Sequence, residues 1–132
     1  MSKHPDYTFA HTGLNVSEPK KAAEWYVENL SMKITRSSPP KAYFLADPTG
    51  RVILEIYGNR DEVTLPFREI RPMTFHLAFL VDNVKAEMER LLTKGCTVSD
   101  EYKETASGDK MVILRDPFDL HIQLIYRSNP MF

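Results

Sequence analysis

Two histidines occupy matching places in two copies of one sequence pattern. His11 lies in Phe-Ala-His-Thr-Gly-Leu-Asn-Val, His76 lies in Thr-Phe-His-Leu-Ala-Phe-Leu-Val, and about half of the 132-residue chain separates them. Each copy continues to an Asp-Pro turn and then to an apolar strand with one oxygen-bearing side chain, Glu55 in the first copy and Gln123 in the second. Imidazole nitrogens and carboxylate or amide oxygens are ligands of divalent metals. The repeat therefore predicts one metal site with these four residues as ligands.

Length and composition narrow the classes of protein to consider. A chain of 132 residues is long enough for one domain and too short for two of typical size. The formal net charge is −1 with scattered basic residues, which argues against nucleic-acid binding. No apolar stretch approaches the ~20 residues that cross a bilayer, and the N-terminus does not resemble a signal peptide. We therefore expect a soluble, cytoplasmic protein without a membrane partner, and its single cysteine, Cys96, excludes an internal disulfide.

The local sequence signals come in the same order in each half of the chain. The first half predicts a strand over 7–16, a helix from Ser17-Glu18-Pro19 to Leu30, and strands over 32–37, 42–46 and 51–58. The second half predicts a strand over 74–81, a helix from Asp82 that stops at Gly95, and strands near 96–102, 110–115 and 119–126. We therefore expect a single domain over 1–132, with module one at about 7–58, a linker over 59–72 and module two at about 73–127.

Strand alternation predicts which side chains share a face with the candidate ligands. Side chains along a strand point alternately to the two faces of its sheet. Strict alternation places Glu55 on one face and Val52, Leu54 and Ile56 on the other, apolar face. The pattern predicts an α+β fold in which two βαβββ modules form a curved mixed sheet around a metal-binding cavity, with the helices on the outer face.

Three motifs carry a resemblance that covers nearly the whole chain. They are His-x-x-Leu-x-Val in the first strand, Phe-His-Leu-Ala-Phe in the second module, and the terminal Leu-x-Asp-Pro-x-x-x-x-Ile-x-Leu. With these motifs the chain resembles the vicinal oxygen chelate superfamily, which includes glyoxalase I, methylmalonyl-CoA epimerase, extradiol dioxygenases, and fosfomycin and bleomycin resistance proteins. In that family the metal ligands lie on the first and last strands of each module. By position they correspond to His11, Glu55, His76 and Gln123.

The chain departs from the family pattern at two positions. The last-strand ligand of the glyoxalase and epimerase branches is usually a glutamate that is also the catalytic base, whereas this chain has Gln123. An amide oxygen can coordinate a metal but cannot act as that base. Glu55, at the equivalent place in module one, is therefore our candidate base, with His121 in reserve. Asp119 replaces the usual glycine of the terminal turn, which could change the shape of that loop.

The resemblance implies a protein that acts on or binds a small molecule, with an enzyme favoured, and it leaves three functions open. The ligand set suits zinc, nickel, cobalt, manganese or iron(II). The first function is that of a glyoxalase-like lyase or isomerase, which would act on a small α-oxygenated carbonyl compound through a metal-stabilised enediolate. The second is an iron(II) extradiol-type dioxygenase, and the third is a non-catalytic binding protein of the resistance type. Relatives with two such modules are commonly homodimers, so we expect a homodimer.

Overall fold

The computed structural model describes residues 4–131, which form two compact units divided between Leu65 and Pro66. The first unit contains β1 (Thr12–Asn15), α1 (Pro19–Leu30), β2 (Lys33–Ser38), β3 (Ala42–Ala46) and β4 (Val52–Tyr57). The second contains β5 (Leu77–Leu80), α2 (Val84–Leu92), β6 (Thr97–Glu104), β7 (Lys110–Arg115) and β8 (His121–Tyr126). The predicted βαβββ order of both modules is confirmed.

Both units have the same sheet topology. The strand order is β1-β4-β3-β2 in the first sheet and β5-β8-β7-β6 in the second. In each sheet the first strand is parallel to the last strand of the module, and all other pairs are antiparallel. Each sheet is open, with an edge strand on either side. The predicted α+β class with two βαβββ modules is therefore confirmed, and each module forms a four-stranded mixed sheet of its own. No described helix is long and apolar enough to span a membrane.

Helix α1 packs an alanine-rich face on its own sheet. Pro19 occupies the first turn, where its missing N–H costs nothing because that group has no partner within a helix. Ala22, Ala23 and Tyr26 are buried at helical spacing, and the helix contacts β3 and β4. It ends at Leu30, as predicted, because Ser31 adopts a left-handed conformation with φ of 57°.

Helix α2 begins at Val84, two residues after the predicted start at Asp82, and ends at Leu92, before the predicted stop at Gly95. Asn83, not Asp82, is the N-cap, and its side-chain oxygen accepts a hydrogen bond of 3.0 Å from the backbone N–H of Ala86. Val84 and Leu91 are the buried residues of the helix, which packs on β7 and β8. Each helix therefore covers the antiparallel part of its own sheet.

The first strand of each module is shorter than its sequence pattern predicted. β1 begins at Thr12, where pairing with β4 begins, and β5 begins at Leu77, where pairing with β8 begins. Tyr7 and Phe9 lie before β1 and are 91% and 67% exposed. An alternating apolar pattern forms a strand only where a neighbouring strand accepts its hydrogen bonds. Both candidate histidines consequently lie directly before a strand, not within one.

A bulge in β4 interrupts the predicted alternation. Leu54 pairs with Leu45 and Val52 pairs with Ala46, so Ile53 is an extra residue on β4. Adjacent residues on β3 point to opposite faces, and their partners Val52 and Leu54 therefore do not share a face. The prediction that placed these two side chains together is wrong, because strict alternation does not allow for the extra residue.

The two Asp-Pro turns have matching backbone hydrogen bonds. Gly50 donates its N–H to the carbonyl of Asp47 at 2.9 Å, and Asp119 donates to the carbonyl of Asp116 at 3.0 Å. Both donors have positive φ, 87° for Gly50 and 70° for Asp119. Aspartate adopts this left-handed conformation more readily than most residues other than glycine. Asp119 therefore preserves the turn that a glycine provides in the first module.

The core of the first unit contains an unpaired hydroxyl group. Tyr43 on β3 is 5% exposed and pairs with the buried Ile56 on β4. Its hydroxyl oxygen has no hydrogen-bond partner among the described residues. Tyr43 is therefore part of the core. A buried polar group without a partner destabilises the folded state.

Replacing this tyrosine should stabilise the protein. We expect Tyr43→Phe to raise the free energy of unfolding by about 1 kcal/mol, because it removes the desolvated hydroxyl and keeps the ring. Urea unfolding followed by circular dichroism measures the change. Tyr7→Phe is the control, since Tyr7 is 91% exposed and its change should be close to zero. A loss of stability in Tyr43→Phe would show that the hydroxyl is paired in solution.

Candidate functional site

The first unit brings its two candidate ligands together. His11 directly precedes β1, and Glu55 lies on the neighbouring parallel strand β4, where it pairs with Gly13. The Nε2 atom of His11 is 3.4 Å from Oε1 of Glu55. Their side chains are 32% and 27% exposed, so both are reached by solvent and by small solutes. The pair presents one imidazole nitrogen and one carboxylate at the same place.

Two aromatic rings flank this pair. Phe44 pairs with Glu55 across β3 and β4, and its ring packs edge-on against His11 with centroids 5.3 Å apart. A Cβ atom on Gly13 would lie 3.3 Å from Cε1 of Tyr57 and 3.8 Å from Oε1 of Glu55. Glycine at position 13 therefore leaves room for the Tyr57 ring beside the carboxylate.

His76 in the second unit has one ring nitrogen held and the other free. It directly precedes β5, and its Nδ1 atom is 2.8 Å from the backbone carbonyl of Pro72. A carbonyl only accepts hydrogen bonds, so Nδ1 carries the hydrogen and Nε2 keeps its lone pair. Metal-binding histidines commonly donate their other N–H to a carbonyl in this way, which fixes the orientation of the ring. The geometry suits a ligand that coordinates through Nε2.

Gln123 occupies the place in the second unit that Glu55 occupies in the first. It lies on β8 and pairs with Ala78 on β5. Its side-chain amide nitrogen is 3.9 Å from the sulfur of Met111, which is a weak contact. The amide oxygen is the group that could coordinate a metal. The second unit thus has an imidazole directly before β5 and an amide on the neighbouring parallel strand β8.

The equivalence of the two pairs is visible in the strand register. In each unit, the residue two positions after the histidine pairs with the oxygen-bearing residue, Gly13 with Glu55 and Ala78 with Gln123. Glu55 follows its Asp-Pro turn by one residue more than Gln123 does, and the extra residue is Ile53 in the bulge. Among residues 4–131 no group of three or more His, Cys, Asp or Glu side chains is close enough to hold a metal.

His121, the reserve base, has both ring nitrogens occupied. It is 1% exposed, and its Nε2 atom donates to the carbonyl of Ile70 at 2.6 Å. Its Nδ1 atom therefore accepts a hydrogen bond of 2.8 Å from the Ser99 hydroxyl. Arg115 Nη2 is 3.5 Å from Nε2, but both are donors and form no hydrogen bond. This arrangement suits a structural role for His121 better than proton transfer with a substrate.

Three side chains of the second unit donate hydrogen bonds to the backbone of residues 66–72. The bonds run from Arg115 Nη1 to Phe67 at 3.1 Å, from His121 Nε2 to Ile70 at 2.6 Å and from His76 Nδ1 to Pro72 at 2.8 Å. The sequence assigned residues 59–72 to a linker because this stretch is polar and contains prolines. Arg115 and Ser99 were not among the predicted site residues. Their hydrogen-bond partners, Phe67 and His121, are distant in sequence, so no local pattern indicates these contacts.

The burial of His121 predicts a pH-dependent stability. Burial is the largest cause that lowers the pKa of His121 below its ordinary value of 6.5, the charges of Arg115 and His76 lower it further, and the hydrogen bond to the Ile70 carbonyl opposes this shift. The unfolded chain therefore binds more protons than the folded chain between the two pKa values. The free energy of unfolding should be highest above about pH 6.5 and should fall as the pH drops below it.

The comparison of wild type with His121→Gln isolates this contribution. Urea unfolding at about pH 7.5, 6.5 and 5.5 should give a smaller decrease with acidification for the variant, because it lacks the group that takes up the proton. His4→Gln is the control, since His4 is exposed and should follow the wild type. Equal decreases in all three proteins would contradict the assignment.

A sequence-family model matches almost the whole chain. The model of the Glyoxalase/Bleomycin resistance protein/Dioxygenase superfamily matches residues 8–124. The match covers all four candidate ligands and both modules. No curated protein gives a significant sequence match to the chain.

Several solved structures have the same fold. A glyoxalase-related enzyme from Fulvimarina pelagi is 20% identical, with a TM-score of 0.69 over 91% of this chain and 88% of that one. TnmS3, an antibiotic-binding protein from Streptomyces sp. CB03234, is 23% identical, with a TM-score of 0.68 over 95% and 100%. Lactoylglutathione lyase from Agrobacterium tumefaciens is 15% identical, with a TM-score of 0.65 over 92% and 95%. At these identities the similarity establishes the fold alone.

Proposed function

This chain belongs to the Glyoxalase/Bleomycin resistance protein/Dioxygenase superfamily, and we propose that it is a glyoxalase-like, metal-dependent lyase or isomerase. Its substrate would be a small carbonyl compound with an oxygen on the adjacent carbon. One observation carries the proposal. Each unit places a histidine directly before its first strand and an oxygen-bearing side chain on the neighbouring parallel strand, in the same register.

The residues present fit a divalent metal. His11 and Glu55 already approach to 3.4 Å, and His76 has its Nδ1 hydrogen bonded so that Nε2 is available. Gln123 adds an amide oxygen, which is a weaker ligand than a carboxylate. Zinc, nickel, cobalt, manganese and iron(II) all accept such ligands. When bound, the ion would act as a Lewis acid toward the substrate oxygens.

Glu55 is the residue that we propose as general base. Its Oε1 atom would accept the proton from the carbon next to the carbonyl, since a carboxylate can take up a proton and an amide cannot. The neighbouring Phe44 and Tyr57 rings supply apolar surface that limits water around the carboxylate. His11 would orient the carboxylate through the contact at 3.4 Å. The base would thus lie in module one, whereas glyoxalase-like relatives usually carry it in module two.

Metal binding should depend on both histidines. We expect the purified protein to bind about one divalent ion per chain, because the chain provides one set of four ligands. His11→Ala and His76→Ala should each lower the metal content by at least tenfold at limiting metal, since each removes a nitrogen ligand. Elemental analysis of protein purified without added metal provides the measurement. His4→Ala is the matched control, and unchanged metal content in folded His11→Ala and His76→Ala would refute the site.

Replacing Glu55 by glutamine and replacing Gln123 by glutamate should have opposite effects on the rate of proton transfer. Glu55→Gln should slow substrate-carbon proton exchange by about 10²–10⁴-fold, the scale of a lost general base, while metal stays bound. Gln123→Glu should maintain or raise the rate, because it adds a second carboxylate. Exchange into deuterated water, followed by NMR over a panel of α-hydroxy and α-keto carbonyl compounds, measures both. Full exchange in Glu55→Gln would assign the proton transfer to another group.

A non-catalytic binding protein is the second candidate function. The solved structure of highest identity among those described above is TnmS3, an antibiotic-binding protein, and Gln123 replaces the acid that glyoxalase-like catalysis usually uses. A binding protein should bind a small molecule tightly and should cause no proton exchange in any of the α-hydroxy and α-keto carbonyl compounds. An iron(II) dioxygenase would instead contain iron and consume oxygen with a catechol. The metal analysis and the exchange experiment together separate these three functions.

A further inference from the structure

The second unit contains a cavity that the proposed reaction does not use. Its volume is about 550 Å³, which is in the range of small-molecule sites. The walls are the segment 68–73, the β6 residues Val98–Asp100, and Arg115 from β7. None of the four candidate metal ligands lines it. The cavity is therefore distinct from the histidine and glutamine positions of this unit.

The cavity carries excess positive charge. Arg68, Arg71 and Arg115 line it, and none of the three forms an ion pair with a carboxylate in the part of the chain that the structure describes. Of the two acids in the lining, Asp100 is bound by Lys103 at 3.1 Å. Glu69 alone is left to balance three guanidinium groups. A cavity with this charge attracts anions.

Arg115 is held in place before any ligand binds. Its Nη1 atom donates to the carbonyls of Phe67 at 3.1 Å and Asp119 at 3.2 Å. These two bonds fix the plane of a partly buried guanidinium and leave its other N–H groups without an acceptor among the described residues. A partly buried cation without a counter-ion is costly in free energy. An anion in the cavity would remove that cost.

We propose that this cavity binds a small organic anion through a carboxylate or phosphate group. The planar fork of donors on arginine matches the oxygens of either group, and such charge-assisted hydrogen bonds are among the strongest in proteins. Arg115 provides the fixed donor, and the exposed Arg68 and Arg71 of segment 68–73 would donate further hydrogen bonds to the anion. The apolar lining residues Val98 and Met73 would contact the carbon part of the ligand.

Binding should also stabilise the cavity wall. Segment 68–73 already receives hydrogen bonds on the carbonyls of Ile70 and Pro72. An anion that bridges Arg68 and Arg71 to Arg115 would link this segment to β7. Local opening of the segment would then require loss of the ligand as well. Slower amide hydrogen exchange over 68–73 is therefore the expected local signature.

Calorimetry with two probe anions tests the proposal. Inorganic phosphate and malonate are titrated into the purified protein at constant ionic strength, because surface charge effects are screened by salt. We expect at least one probe to bind, and the double variant Arg68→Gln/Arg71→Gln to bind it at least tenfold more weakly, since two charge-assisted contacts are lost. Arg36→Gln is the control, as Arg36 is an exposed arginine of the first unit, and it should bind as the wild type does. Tighter binding of phosphate or of malonate identifies the preferred group.

Two results would overturn the proposal. The first is an absence of binding for both probes, and the second is equal weakening in the control and the double variant, which would indicate a general charge effect. Amide hydrogen exchange, measured with and without the anion, shows which segment the anion protects. The wild type is compared with the folded double variant. Protection must appear over 68–73 in the wild type and be lost in the double variant, and protection elsewhere also counts against the cavity.

Discussion

Parallel pairing of the first and last strands is the constraint on which each half of the candidate site depends. Hydrogen bonds between β1 and β4 bring the start of the module beside its end, so His11 and Glu55 are neighbours although many residues separate them. The same pairing between β5 and β8 positions His76 relative to Gln123. The intervening helix supplies the crossover that any two parallel strands need. The positions of the candidate ligand pairs are therefore a product of topology and not of local sequence.

The two modules share this geometry and differ in chemistry. Module one has a carboxylate beside aromatic rings, whereas module two has an amide whose nitrogen is 3.9 Å from the Met111 sulfur. A symmetric backbone thus supports two unequal ligand pairs, one of which can accept a proton. The second module also contains Arg115 and His121, whose hydrogen bonds hold the backbone of residues 66–72.

Much of the architecture could be predicted because it depends on local patterns. Apolar spacing with Pro19 at one end defined α1, and the repeat of His11 and His76 indicated the duplication. Pairing partners and hydrogen bonds between distant residues could not be predicted, since period-two alternation contains no information about neighbours. For that reason β1 came out too long, Ile53 was not identified as a bulge, and the contacts of His121 with Ser99 and residue 70 were missed.

The bulge in β4 allows module one to carry one residue more than module two between the Asp-Pro turn and the candidate ligand. Ile53 is that residue, and the bulge takes it up before the ladder reaches Glu55. From Leu54 onward β4 pairs regularly with β3, so Glu55 has the same place in its sheet as Gln123 has in the other. A difference in length between the two halves of the chain therefore ends at the bulge and does not change the position of the candidate ligand.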